Sequence, residues 1–119
     1  MIIVVSSEGK NLDSKVDARF GRAAGFVIYD SDADSVTYIE NSQNLQALQG
    51  AGIQSAKHIL NAEADVLLTG HVGPKAFKVL KQGEVKVYSG VAGTVKTAIE
   101  DLKNNKLQLA SEADVEGHW

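Results

Sequence analysis

Residues Ile2-Ile-Val-Val5 are four consecutive β-branched apolar side chains with no polar residue among them to mark a wet face. Such a strand must be covered on both sides, so it belongs in the middle of a sheet with helices above and below. The rest of the chain supplies that cover. Residues 26–29 and 36–39 flank the polar stretch Asp30-Ser-Asp-Ala-Asp-Ser35, which predicts an antiparallel hairpin. A Gln/Asn/Gly-rich loop is expected over 41–52. Then Ile53, Ala56, Leu60 and Ala64 recur at helical spacing ahead of an apolar strand at 66–69. Gly73-Pro74 supplies an N-cap and first-turn pair for a second helix with Ala76, Phe77 and Leu80 inward and Gly83 at its end. A strand at 85–88 leads through Ser89-Gly-Val-Ala-Gly93 into a third helix. There Val95, Ala98, Ile99 and Leu102 fall at i, i+3, i+4 and i+7, with Lys96 and Glu100 on the wet side.

This order predicts an α/β fold: a five-stranded mixed sheet, three strands parallel and two antiparallel, inside a three-layer α/β/α arrangement with three helices. At 119 residues and 44% hydrophobic content, residues 1–119 are expected to form one domain around one core. Residues 110–119 read as an acidic tail ending in tryptophan. The N-terminus has no basic region and meets Glu8 at once, and no apolar run nears the roughly 20 residues of a membrane span. The expectation is a cytoplasmic protein with no membrane partner.

The chain has no cysteine, which excludes disulfides, thiolate zinc sites, cysteine-ligated iron–sulfur clusters and thiol nucleophiles. Its three histidines, His58, His71 and His118, lack metal-ligand spacing, and His58 is expected on the solvated side of its helix. A net charge of -3 argues against nucleic acid as a partner. Yet between His71 and Lys106 seven lysines (75, 78, 81, 86, 96, 103 and 106) stand against Glu84, Glu100 and Asp101, a local balance of +4 suited to an anion. Gly93-Thr-Val-Lys96-Thr97 lacks the glycine loop and adjacent Gly-Lys of a P-loop, and Gly50-Ala-Gly52 follows no parallel strand as a dinucleotide fingerprint would.

Gly70-His71-Val72-Gly73-Pro74 lies between a buried strand and a helix start, where unpaired N–H groups and the positive helix end favour anions. In open α/β sheets ligands settle at the carboxyl ends of the strands. The loop after Val5, beginning Ser6-Ser7, and the loop with Gly90 and Gly93 should converge with it there. Arg19-Phe20-Gly21-Arg22 adds two guanidinium forks suited to sulfide or oxyanion acceptors. An internal ion pair with Asp13 or Asp17 is the competing use of those arginines, and Phe20 also suits an anchor to the core. His71 is the candidate metal ligand or hydrogen-bond donor. Acid should strengthen a donor role and weaken a ligand role, and an anionic ligand favours the donor.

Ser6-Ser-Glu-Gly9, Leu12-Asp13-Ser14, Arg19-Phe-Gly-Arg-Ala23, Gly70-His-Val-Gly-Pro74 and Val115-Glu-Gly-His-Trp119 together resemble the dinitrogenase iron–molybdenum cofactor-binding family, nearly end to end. In length the chain is most similar to its small single-domain members, the orange-protein type. The resemblance implies a ribonuclease-H-like fold and noncovalent carriage of an anionic molybdenum-containing sulfide cluster, of Mo–Cu–S or Fe–Mo–S type, without catalysis. A protein donor or acceptor of the cluster would be the partner. Ser6, Ser7, Arg19, Phe20, Gly21, Arg22, Gly70, His71, Val72, Gly73, Pro74, Gly90 and Gly93 are the expected cofactor-binding positions, with His118 and Trp119 candidates to close over them. Some relatives offer a cysteine near the site. Its absence here favours a cluster whose own sulfides complete its coordination. Two alternatives stand beside this one. A scaffold module would dock a partner through the 41–52 loop and bind no cluster. A nuclease of ribonuclease-H-like fold would need carboxylates on the first strand, and Ile2-Ile-Val-Val-Ser6 has none.

Overall fold

The computed structural model describes residues 1–41 and 50–110. Five strands, β1 (Ile2–Ser7), β2 (Gly25–Asp30), β3 (Ser35–Glu40), β4 (Val66–Leu68) and β5 (Lys86–Tyr88), form one sheet in the order β3-β2-β1-β4-β5. The β1–β2 and β2–β3 pairs are antiparallel, β1–β4 and β4–β5 parallel. Only β2 therefore runs against the others. The helices are α1 (Ala51–Asn61), α2 (Pro74–Gln82) and α3 (Val95–Lys103), with one 3-10 turn at Phe20–Arg22.

The central position of β1 follows from its sequence, because alternate side chains fill opposite faces. Val4 joins Phe26, Leu67, Val87 and the buried side chains of α1 and α2 in one core. Ile3 and Val5 join Val27, Leu68 and the apolar face of α3 in the other. Val4, Val5, Leu67 and Leu68 are fully buried, and each such side chain contributes about 1.5 to 3 kcal/mol of transfer free energy. Two helices on one face and one on the other give the expected three layers.

Differences from expectation are local. The buried stripe of α1 is Gly52, Ser55, Ala56 and Ile59, so the helix is rotated from the expected phase. Ile53 and Leu60 are half-buried, and Ala64 lies beyond the helix. Ser55 can lie in that stripe because its buried hydroxyl belongs to a polar network described below. His58 is half-buried rather than solvated. In the 41–52 connection, Asn41 is buried and 51–52 already belong to α1, while 42–49 lie outside the described residues. At the other sheet edge Leu109 bridges Tyr88, and Ala110 N–H donates to the Val87 carbonyl at 2.8 Å. The remaining tail, with His118 and Trp119, also lies outside them.

Candidate functional site

Every connection at one sheet edge begins or ends at the carboxyl end of a parallel strand, and the long one after β1, residues 8–24, crosses that edge and binds its neighbours through the backbone. Asp17 N–H donates to the Ser6 carbonyl and Val16 N–H to the Gly93 carbonyl, both at 2.9 Å. Val95 and Lys96 N–H groups donate to the Ser14 and Leu12 carbonyls, again at 2.9 Å. Phe20 N–H donates to the His71 carbonyl at 3.1 Å, and His71 N–H to the Ala18 carbonyl at 2.7 Å. Gly90 N–H donates to the Gly70 carbonyl at 2.7 Å. The three expected loops do converge. Some of their N–H groups are consumed in doing so, His71 and Gly90 among them, so those two are not available to an anion.

Gly70 is fixed by this crossing. A β-carbon there would stand 2.5 Å from the Ala18 carbonyl oxygen and 2.6 Å from Ala18 Cα. Gly90 and Gly93 serve the backbone differently, with φ of +72° and +87° that other residues adopt at a cost.

The arginine turn rests on a buried carboxylate. Asp17 Oδ1 accepts from Arg19 N–H at 3.0 Å, and Oδ2 accepts from Ala24 N–H at 3.3 Å. Arg19 and Arg22 stand at the two ends of the 3-10 turn, Arg19 as its extended N-cap and Arg22 as its last residue, and both are exposed. Between them Phe20 is fully buried with its ring 5.6 Å from that of Phe26. Its ring is a core anchor. Arg19 Nε lies 3.9 Å from Asp17 Oδ1, a loose version of the expected ion pair, and the Arg19 side chain is 53% exposed. Arg22 is exposed and has no ion-pair partner among the described residues.

Behind the turn lies a polar network that hydrophobic periodicity does not reveal. Ser55 Oγ is 3.0 Å from Asn41 Oδ1 and 3.3 Å from the Gly21 carbonyl, and Asn41 Nδ2 donates to the Ala23 carbonyl at 3.0 Å. Its only sequence signal is a serine among the apolar residues of α1. Ser6 Oγ donates to the Asp17 carbonyl and meets Thr69 Oγ1, each at 2.8 Å. Ser7 Oγ donates to the Gly9 carbonyl at 2.6 Å. These two hydroxyls therefore pin the loop from inside.

The expected site residues thus divide. Arg19, Arg22, His71, Pro74, Gly90 and Gly93 are exposed, whereas Ser6, Ser7, Phe20, Gly21, Gly70, Val72 and Gly73 are buried beneath them. The helix ends differ as well. Thr94 and Thr97 close a capping box on α3, while α2 begins at Gly73 with no side-chain cap and with Pro74 in its first turn. The positive end of α2 is left without an internal acceptor from a side chain. The lysines of the basic half are all exposed, but the three on α2 and the two on α3 lie on opposite faces of the sheet. Of these, Lys75 follows directly on Pro74. Among the described residues no three His, Asp or Glu side chains gather to hold a metal ion.

Comparison with known proteins agrees with this architecture. The apo form of the orange protein from Desulfovibrio gigas is 39% identical, covers 96% of each chain and superposes with a TM-score of 0.90. A candidate NifB protein from Thermotoga is 32% identical over 98% of each chain, with a TM-score of 0.81. An uncharacterized protein of Methanocaldococcus jannaschii is 26% identical over 98 residues, 81% of this chain and 83% of its own length. Residues 1–105 match the family model described as dinitrogenase iron-molybdenum cofactor, and the chain belongs to that family.

Proposed function

We propose that the chain binds and carries an anionic molybdenum-containing metal–sulfide cluster noncovalently, at the edge where its three loops cross. The observation that carries this reading is the arginine turn. Two exposed arginines flank a turn locked to the His71 strand end, and Arg22 has no ion-pair partner among the described residues. Guanidinium forks donate well to sulfide and oxyanion acceptors and keep their charge at any working pH. His71 would add a side-chain donor or, as a lone imidazole, a single metal ligand. The uncapped start of α2 would add its first-turn N–H groups.

Of the two cluster types, Mo–Cu–S is the one that resemblance to the orange-protein type implies, and the absence of cysteine suits a cluster that brings its own sulfides. The strand order supports a ribonuclease-H-like topology, but β1 ends in two hydrogen-bonded serines and carries no acid for a nuclease metal pair. On this reading the protein is a cytoplasmic carrier that exchanges its cargo with a donor or acceptor protein and catalyses nothing.

Titration of the metal-free protein with tetrathiomolybdate and copper, followed by gel filtration and metal analysis, tests the proposal. Molybdenum should co-elute with the protein and give visible charge-transfer bands. Arg19→Ala with Arg22→Ala should weaken retention by about 1.5 to 3 kcal/mol for each charge-assisted hydrogen bond removed, while Lys81→Ala on the outer face of α2 should change little. No retention by the unaltered chain would end the carrier reading.

A further inference from the structure

A protein that gathers positive charge for an anion gains nothing electrostatically from a carboxylate buried at the base of its arginine turn, yet Asp17 is only 6% exposed. Its backbone is tied to the end of β1 on both sides: Asp17 N–H donates to Ser6, and its carbonyl accepts from Ser6 Oγ. Its two oxygens hold the N–H groups of Arg19 and Ala24, which bracket the 3-10 turn. The same Oδ1 that holds Arg19 N–H lies 3.9 Å from Arg19 Nε. No other acid forms an ion pair with either arginine among the described residues.

We propose that Asp17 is a positioning residue that holds the arginine turn in place and draws Arg19 inward, so that an anionic ligand competes with a buried carboxylate for Arg19 while Arg22 meets it directly. The two arginines are then unequal. Arg22 supplies attraction from the outset. Arg19 divides its charge between Asp17 and the ligand, and the negative charge behind it lowers the affinity of the whole face. This makes the cargo releasable. A partner need only overcome a site that is part-neutralised from within, because the carboxylate reclaims Arg19 as the anion leaves. Asp17 does not touch the ligand in this account, and its effect passes through Arg19 and through the field.

This inference rests on the anion-binding reading above, and the experiment separates the two. Tetrathiomolybdate dianion is titrated into the unaltered chain and into Asp17→Asn, whose amide oxygen still accepts one of the two N–H bonds. Removing one negative charge so near the site should tighten binding on the order of tenfold at low salt, given an effective dielectric of about 20 and partial screening. Arg19→Ala should also cost more affinity in the Asp17→Asn background than in the unaltered chain. A merely structural Asp17 would give weaker binding in the variant, and that result, or equal binding by a folded variant, overturns the proposal. Should Asp17→Asn not fold, the unaltered chain decides. Its Arg19 Nε–H should exchange with water more slowly than that of Arg22 and lose that protection when tetrathiomolybdate is added. Equal exchange at the two arginines overturns the proposal as well. Failure of the unaltered chain to bind the dianion at all would instead remove the proposed function on which it stands.

Discussion

Replacing Gly70 with alanine would place a β-carbon 2.5 Å from the Ala18 carbonyl oxygen, 2.6 Å from its Cα and 2.9 Å from its carbonyl carbon. All three are backbone atoms, so no rotamer change relieves the overlap. Residues 8–24 must move away from the end of β4 by about 1 Å to restore ordinary van der Waals separation. Overpacking of that kind costs about 1 to 3 kcal/mol. The shift also strains the hydrogen bonds from Phe20 N–H to His71 and from His71 N–H to Ala18, each contributing about 0.5 to 1.5 kcal/mol net. The expected loss is about 2 to 5 kcal/mol. Urea unfolding should show it as a midpoint lowered by on the order of 1 to 2 M with an unchanged slope. Gly90→Ala is the control: its β-carbon would meet open space, so only its left-handed φ of +72° is penalised at about 1 kcal/mol. A Gly70→Ala variant within about 0.5 kcal/mol of the unaltered chain would refute the claim that the two loops are clamped by close approach.

Ser55→Ala should cost about 1 to 3 kcal/mol, because it leaves Asn41 Oδ1 buried without its donor; a midpoint unchanged in urea would show that the network does not support the turn. A pH effect is expected at Tyr38, whose hydroxyl is raised above its ordinary value of 10.0 by burial and then by Glu40. The unfolded chain therefore ionises first, so this group's contribution to stability is complete below about pH 10 and disappears as pH rises through the folded value. Tyr38→Phe should flatten the alkaline part of the stability profile, and an identical profile would exclude Tyr38 as its source.

The elements legible in the sequence are those whose side chains repeat. Ile2-Ile-Val-Val5 announced a strand buried on both faces, and the i, i+3, i+4, i+7 series of α3 announced both the helix and its inward face. α1 misled because its buried stripe includes Gly52 and Ser55, residues that a reading keyed to apolar side chains passes over. The connection after β1, residues 8–24, shows no side-chain period for a different reason. Their backbone groups bond to β1, β4 and the α3 approach in turn, through isolated bridges at Ser7–Val16, Arg19–His71 and Lys15–Thr94. A segment that changes partner every few residues imposes no period on its side chains. Phe20 takes the second of the two uses expected of it, the core anchor, whereas nothing in the spacing of Val72 indicated that its side chain is fully buried.

Stability alone would not choose the arginine turn. A buried carboxylate is expensive unless hydrogen bonds and positive charge offset its desolvation, and Asp17 has two N–H donors and a guanidinium at the long distance of 3.9 Å. Arg22, at the other end of the turn, adds a second positive charge and has no acid in return among the described residues. An acid facing Arg22 would have offset that charge. α2, like α1, begins at a glycine with no side-chain cap, whereas a Thr–Thr box closes the start of α3; a serine or asparagine at Gly73 would add about a few tenths of a kcal/mol. Two local rules are broken side by side at the strand ends where ligands collect, and both departures leave positive charge without an internal partner among the described residues. Departures of this kind concentrate where function sets the residue. What they share is the sign of the charge they leave exposed, and that sign is what an anion requires.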